Sequence, residues 1–428
     1  VITISFSSFV KATKDTKMTR IIIRNVGPIE IVDFKLNKIT VLMGPQSSGK
    51  STIAKIISYC QWAEKRFLLD GDFKYDVTEQ LLEFHRLSEN YFSKESFFEY
   101  ESDFLKITYT GKSLSQTFVK KDTKRIYKSS KNIYIPSERN FVSVIPNLSK
   151  YKETNDNIMS FVYDWFSAKR TFNKTNSLPV LNLNVSYYSI QETDTDVLVL
   201  KNKKEIMLRE GSSGLQSIIP LITLIEYLTK YIYENNISNS VEEYDSLKRF
   251  ISENLNNIIK RQHFKTTSNS KDLKLTNEEV SKLMNSYFKT KYLSTYNKTS
   301  FIIEEPEQNL FPSTQRDLVN YLFSKMQDKR DHSLLLTTHS PYILYSINNC
   351  LMGYNVRNDI PSEERAELNS NQSWINPAKV SLWQVKDGKL VSIKDERTQT
   401  VTKHYFNEIT KDIMDEYYEM LNHFNYEG

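Results

Sequence analysis

Residues 38–67 read KITVLMGPQSSGKSTIAKIISYCQWAEKRF, and this stretch decides the fold. Its opening, Lys38 to Met43, is apolar and β-branched, the composition of a buried strand. Its end, Thr52 to Phe67, has helical spacing. Between them Gly44 to Ser51 spell a complete G-x-x-x-x-G-K-S loop. Strand, glycine-containing turn and helix is the context in which this motif carries meaning. Backbone N–H groups of the turn and of the helix N-terminus then point at phosphate oxygens. Lys50 reaches the β- and γ-phosphates and the Ser51 hydroxyl holds Mg²⁺. The plain alternative is a chance glycine turn, but glycine is scarce, 10 of 428 residues. The sequence therefore assigns Gly44, Pro45, Gln46, Ser47, Ser48, Gly49, Lys50, Ser51 and Thr52 to a nucleotide.

The length allows one large domain with insertions or two to three domains. A net charge of +5 is small for the size, so composition does not demand a nucleic-acid partner. Cys60 and Cys350 are the only cysteines, too few and too far apart for a disulfide framework or a zinc site, and a reducing cytoplasm is the expected setting. No apolar run approaches bilayer length, so no membrane role is expected. Ile2 to Val10 is mildly apolar but interrupted by serines, and residues 1–17 read as a leader of unknown role.

Working outward from the loop, Arg20–Gly27 and Ile29–Leu36 read as a β-hairpin. Asp70–Tyr100 reads as largely helical, then Leu105–Thr110, Gln116–Val119 and Asn132–Ile135 as strands. A basic stretch holds Lys120, Lys121, Lys124, Arg125, Lys128 and Lys131; it reads as a solvated hairpin, with a phosphate-contacting patch as the alternative. Lys150–Lys174 reads as helix, Val180–Tyr188 and Val197–Leu200 as strands, Gly214–Tyr233 as a buried apolar helix, and Asn235–Ser300 as an inserted helical arm. Thr299–Glu304 and Ser333–Thr338 read as strands, Ser313–Gln327 and Tyr342–Asn348 as helices, Val380–Ile393 as a hairpin on Asp387-Gly388, and Asn407–Phe424 as an amphipathic helix. The expected division is 18–233, with inserted segments near 70–175, then a helical insertion over 234–298, then 299–428.

Three later motifs narrow the chemistry. Phe301-Ile302-Ile303-Glu304-Glu305-Pro306-Glu307 is an apolar strand ending in acids, which places carboxylates beside the phosphate loop of a parallel sheet. Glu304 then orients Mg²⁺ and Glu305 polarises the attacking water. Leu334-Leu335-Leu336-Thr337-Thr338-His339-Ser340-Pro341 ends a second buried strand in a histidine, so His339 is placed to contact the γ-phosphate. Glu210-Gly211-Ser212-Ser213-Gly214-Leu215-Gln216-Ser217 precedes the apolar helix and makes a second anion-binding helix start. Since the first loop already takes one nucleotide, the second is expected to close on another subunit's.

In this order the motifs resemble the ABC-type ATPases of the non-transporter branch, which includes the SMC and RecF proteins. The phrases Glu-Glu-Pro-Glu-Gln-Asn-Leu-Phe-Pro and Thr-Thr-His-Ser-Pro-Tyr-Ile-Leu look most like bacterial anti-phage ATPases, the OLD, PARIS and Septu systems. The resemblance covers about 20–67, 180–233 and 299–350. It implies an α/β fold with a mixed or parallel core sheet, an N-terminal antiparallel β portion and a helical insertion. It implies ATP and Mg²⁺ as ligands, with Ser51 and Glu304 on the metal, Glu305 and His339 catalytic, and Ser213, Gly214 and Gln216 as a signature closing on a partner's nucleotide. Asn309 and Leu310 would lie in the loop crossing the dimer.

There are departures: Leu215 stands where transporters have a second glycine, Glu304 replaces the usual Asp, and the glutamine that follows an early core strand is not identifiable, Tyr134–Arg139 lying near its expected place. OLD proteins carry a Toprim nuclease after the ATPase. Here about ninety residues follow His339, with no acidic Toprim pattern and no His-Asn-His signature. The expectation is a homodimer or an assembly of dimers controlling a separate effector such as a nuclease. The alternative is a RecF- or SMC-like DNA-maintenance ATPase with DNA as partner. Asn235–Ser300 is too short and irregular for an SMC-type coiled-coil arm.

Overall fold

The computed structural model describes residues 19–145, 148, 156–234, 296–402 and 404–424. The expected first hairpin forms from β1 (Arg20–Val26) and β2 (Ile29–Lys35). β3 (Ile39–Met43) runs into the glycine loop and α1 (Lys50–Asp70) runs out of it. Gly71 stops α1 in the left-handed region, φ 80°, where its N–H returns to the Phe67 carbonyl.

The expectation of helix across Asp70–Tyr100 fails in its last third. Phe92–Glu101 is a strand, β4, antiparallel to β1, with Ser96, Phe98 and Tyr100 turned inward at period two. β5 (Leu105–Thr110) and β6 (Ser115–Lys120) extend the meander, and β7 (Ser130–Ile135) follows. The helix expected over Lys150–Lys174 is α2 (Asn157–Lys169), capped by Asp156, which accepts from the Met159 N–H at 2.9 Å.

Val180–Tyr188 is not one strand. β8 (Leu178–Pro179) and β9 (Ser186–Ile190) are separated by a turn in which Leu181 and Asn184 have φ of 45° and 54°. With β10 (Thr195–Val199) and β11 (Glu205–Met207) they make a four-stranded antiparallel sheet in the order β11-β10-β9-β8. The apolar helix α3 (Ser213–Glu226) continues into a π turn, Tyr227–Tyr231.

Most of the expected arm, 235–295, lies outside the described residues, and its last three residues are already strand, β12 (Lys298–Glu304). α4 (Pro312–Lys325) and β13 (Ser333–Thr338) match expectation, whereas α5 (Pro341–Asn355) runs well past Asn348. β14 (Val380–Lys386) and β15 (Lys389–Ser392) form the expected hairpin, with Asp387 and Gly388 at φ 49° and 71°. α6 (Tyr405–Leu421) closes the described chain.

The main sheet has eleven strands in the order β6-β5-β4-β1-β2-β15-β14-β3-β13-β12-β7. From β14 to β7 neighbours are parallel, and from β6 to β2 they are antiparallel. β15 joins the halves, pairing with β2 at Lys389 and Ile31. This is the mixed α/β arrangement expected, with the antiparallel portion supplied by the N-terminal strands.

The central strands are apolar throughout because both faces are covered. Val41, Ile303 and Leu336 enter one core with Trp165, Ile222, Leu322 and Ile347 from α2 to α5. Leu42, Ile302 and Leu335 enter the other with Ile53 and Ile57 of α1 and with Phe98 and Tyr109. The carboxyl ends of β3, β13 and β12 thus lie side by side, the edge at which open α/β sheets bind ligands. Among the described residues no helix is long and apolar enough to cross a membrane.

Candidate functional site

The glycine loop needs its glycines for two different reasons. Gly44 has φ 152°, and a Cβ there would meet the Val385 carbonyl oxygen at 2.6 Å. Gly49 has φ 103° and caps α1 with no side chain, leaving the first-turn N–H groups open to an anion. Gln46 and Ser47 are exposed at the rim, Pro45 and Ser48 are half-buried, Ser51 is exposed on the first turn and Thr52 is buried. Lys50 is only 4% exposed. Its Nζ donates to the carbonyls of Gly44 (3.0 Å) and Pro45 (2.7 Å) and to Ser48 Oγ (3.4 Å). Burial draws its pKa down to about 8, against the opposing pull of Glu305, Glu307 and Glu304.

Glu304 ends β12 in the interior, and its Oε1 has no hydrogen-bond partner. A buried, unpartnered carboxylate oxygen is costly and suits a cation. Glu305 follows in the left-handed region, φ 42°, with its N–H held by the Thr337 carbonyl at 3.0 Å. Its Oε1 lies 3.1 Å from His339 Nε2. That hydrogen bond, then the charges of His339, Lys50 and Arg139, hold the carboxyl below its ordinary pKa against burial.

Glu307 clips the two strand ends together. Its Oε1 accepts from Thr338 Oγ1 at 2.9 Å and from the His339 N–H at 2.6 Å, and burial pushes its pKa up. Ser340 Oγ donates to Gln315 Oε1 at 2.5 Å, and Gln315 Nε2 donates to the Leu310 carbonyl at 2.8 Å. In the sheet order β13, the strand that ends at His339, stands between the loop strand β3 and the acid strand β12.

At the start of α3, Ser212 is the cap, accepting from the Leu215 N–H at 3.4 Å, and Ser213 is exposed. Gly214 packs under the loop after β12: a Cβ would meet the Asn309 carbonyl oxygen at 2.9 Å, with Leu310 beyond it. Gln216 turns back, donating to the carbonyls of Arg209 (2.9 Å) and Gly211 (3.0 Å). The structure thus brings Lys50, Glu304, Glu305 and His339 to one edge. It sets Gly214 against the Asn309 loop, with the Gln216 side chain bonded to the preceding turn.

Two residues of this edge escaped the sequence reading. Glu307 was within a motif but had no role, and Arg139 was passed over. Arg139 is fully buried, and its only sequence signal is a Pro-Ser-Glu-Arg phrase after a strand. The basic stretch, by contrast, takes the bland reading. Lys121 pairs with Glu101, Arg125 with Asp103, and Lys131 with Asp164, while Lys120, Lys124 and Lys128 are exposed.

Solved structures with a similar chain path include the SMC head domain from Thermotoga maritima, with TM-score 0.38, 8% identity, and coverage of 88% of this chain and 99% of that one. The recombination mediator protein RecF gives 0.31, 12%, 88% and 99%. An ATP-binding cassette bound to ADP and Pi gives 0.28, 9%, 86% and 96%. No curated protein matches the chain. A family model does match, over residues 39–344, from the strand before the glycine loop to the helix after His339, and the chain belongs to that family, described as AAA domain, putative AbiEii toxin, Type IV TA system.

Proposed function

We propose that the chain is an ABC-type ATPase that dimerises around ATP and Mg²⁺ and acts as sensor or scaffold for a separate effector, of nuclease kind, in anti-phage defence. The observation that supports this most is the Glu305–His339 pair, 3.1 Å apart, at the ends of β12 and β13, with β13 beside the strand that leads into the Lys50 loop.

In this reading Lys50 exchanges its carbonyl partners for phosphate oxygens, and the open N–H groups of α1 bind the same anion. Ser51 and Glu304, whose Oε1 has no hydrogen-bond partner, are the fitting ligands for Mg²⁺, which when bound would neutralise phosphate charge. Glu305, kept ionised by His339, takes a proton from the water that attacks the γ-phosphorus. The bond from that phosphorus to the β–γ bridging oxygen breaks, and ADP and phosphate leave. His339 orients Glu305 and, through the Glu307 clip, registers what occupies the γ position. Ser213, Gly214 and Gln216, at the start of α3, close on the partner's nucleotide.

The toxin–antitoxin wording of the family description supports a defence role, and a RecF- or SMC-like role in DNA maintenance fits the fold equally. The test is capture with ATP of the Glu305→Gln protein from its native host, in the cytoplasmic fraction, with bound partners identified by mass spectrometry. A stoichiometric nuclease- or toxin-like protein is expected. Recovery of DNA or replication proteins alone would overturn the defence assignment.

A further inference from the structure

We propose that Arg139 is the positioning residue of the hydrolytic edge, a buried clamp that holds the backbone turn at Glu305 and ties it to the first turns of α3. The proposal rests on the ATPase reading above and gives it a coupling element.

All five N–H donors of the guanidinium are used, and every acceptor is a backbone carbonyl. Nε donates to Ser217 (3.3 Å), Nη1 to Pro136 (3.3 Å) and Glu304 (2.9 Å), and Nη2 to Glu305 (2.9 Å) and Pro306 (3.1 Å). Arg139 has no accessible surface. No carboxylate pairs with it directly; Glu307, Glu305, Glu304 and Glu138 balance its charge from around, and burial lowers its pKa to about 10, so it stays a cation at neutral pH.

Successive carbonyls of an extended strand point to opposite sides. Those of Glu304, Glu305 and Pro306 converge on one guanidinium because Glu305 adopts φ 42°. The clamp and the left-handed turn therefore require each other. The same turn sends the Glu305 carboxylate to His339. The fifth bond reaches Ser217, one turn along the helix from Ser213 and Gly214, and Ser143 Oγ adds a parallel link to the Gln216 carbonyl at 2.8 Å. A shift of Glu305 that accompanies the presence or loss of the γ-phosphate is thus passed through a rigid planar group to the helix start facing the partner. An ordinary core pin would have no reason to collect three consecutive carbonyls at the acid loop and one from the signature helix.

The test uses the full chain with ATP and Mg²⁺. Lysine keeps the charge but not the five-donor fork. Arg139→Lys is expected to lower kcat about 100-fold, the scale of a small misplacement at a reacting centre. ATP affinity should stay within about threefold, since Lys50 and the glycine loop are untouched. Equal turnover in Arg139→Lys and wild type would overturn the proposal. So would joint loss of ATP binding and thermal stability, which would mark a structural pin.

Hydrogen exchange on the wild-type protein gives an independent reading. ATP is expected to change exchange at 304–307 and at 213–217 together, and a change in only one of them overturns the coupling. If wild type binds ATP without hydrolysing it, the ATPase reading fails while this exchange experiment still decides the clamp.

Discussion

Two helices of this protein begin in glycine-containing loops, and the contrast between them assigns their parts. α1 begins at a left-handed glycine with no side-chain cap and carries a buried lysine inside the loop. α3 begins at a serine that caps its own helix, and it exposes Ser212 and Ser213 with no lysine inside the turn. In the proposed reading the first is a complete phosphate cradle. The second has only the dipole and hydroxyls of a helix start, a few tenths to about one kcal/mol of attraction for an anion. It can finish a site but not make one, which is what an element acting across a dimer needs.

The largest effect that would break this contrast lies at neither helix. Glu305→Gln should lower turnover by about 10²- to 10⁴-fold, the usual contribution of a general base, and leave ATP affinity unchanged in equilibrium binding. Unchanged turnover would remove Glu305 from the chemistry.

Next comes the second helix. Ser213→Glu adds a carboxylate that favours its own helix N-terminus but faces the partner's triphosphate. It should weaken ATP-driven dimerisation by about 100-fold or more, as like charges across an interface do, with ATP binding by the monomer intact. A parallel loss of monomer binding would place Ser213 in the first cradle instead.

Lys50→Ala should cost about 10- to 100-fold in ATP affinity by calorimetry, the range of one charged hydrogen-bonding group. The pH dependence sharpens that point. With the Lys50 pKa drawn down to about 8, the ammonium is present below that pH and affinity is flat. Above it the unliganded protein loses the charge, and affinity falls by up to about tenfold per pH unit. In Lys50→Ala this slope should vanish. The smallest effect is at the basic stretch: Lys121→Ala or Arg125→Ala, each removing a partly exposed ion pair, should change stability by less than about 1 kcal/mol in denaturant unfolding and leave ATP binding alone.

What was legible in the sequence follows from range. The glycine loop, its strand and its helix are local, and their residues announce them. The alternation of Val41 and Leu42 between two cores is not legible, because a strand covered on both faces shows no period. β4 was misread because its inward set at period two, Phe92, Ser96, Phe98 and Tyr100, is interrupted by Lys94 and blurred by Phe97 on the other face, so the alternation shows only once β1 pairs with it.

The acids and His339 were found at strand ends, but their order across the edge was not, since nothing local says that β13 inserts between β3 and β12. Arg139 was beyond reach for a different reason. Its partners are carbonyls, which carry no side-chain signature, and several lie some 165 residues away. Glu307 hid similarly, its acceptor role set by the end of another strand.

The central claim is that nucleotide joins two chains between the Lys50 loop of one and the Ser213 start of the other. Sedimentation equilibrium of the Glu305→Gln protein with and without ATP and Mg²⁺, beside the same protein carrying Ser213→Glu, tests it most directly. The account predicts that ATP doubles the mass of the first and not of the second. An unchanged mass on adding ATP to the first, or the same doubling in both, would contradict it.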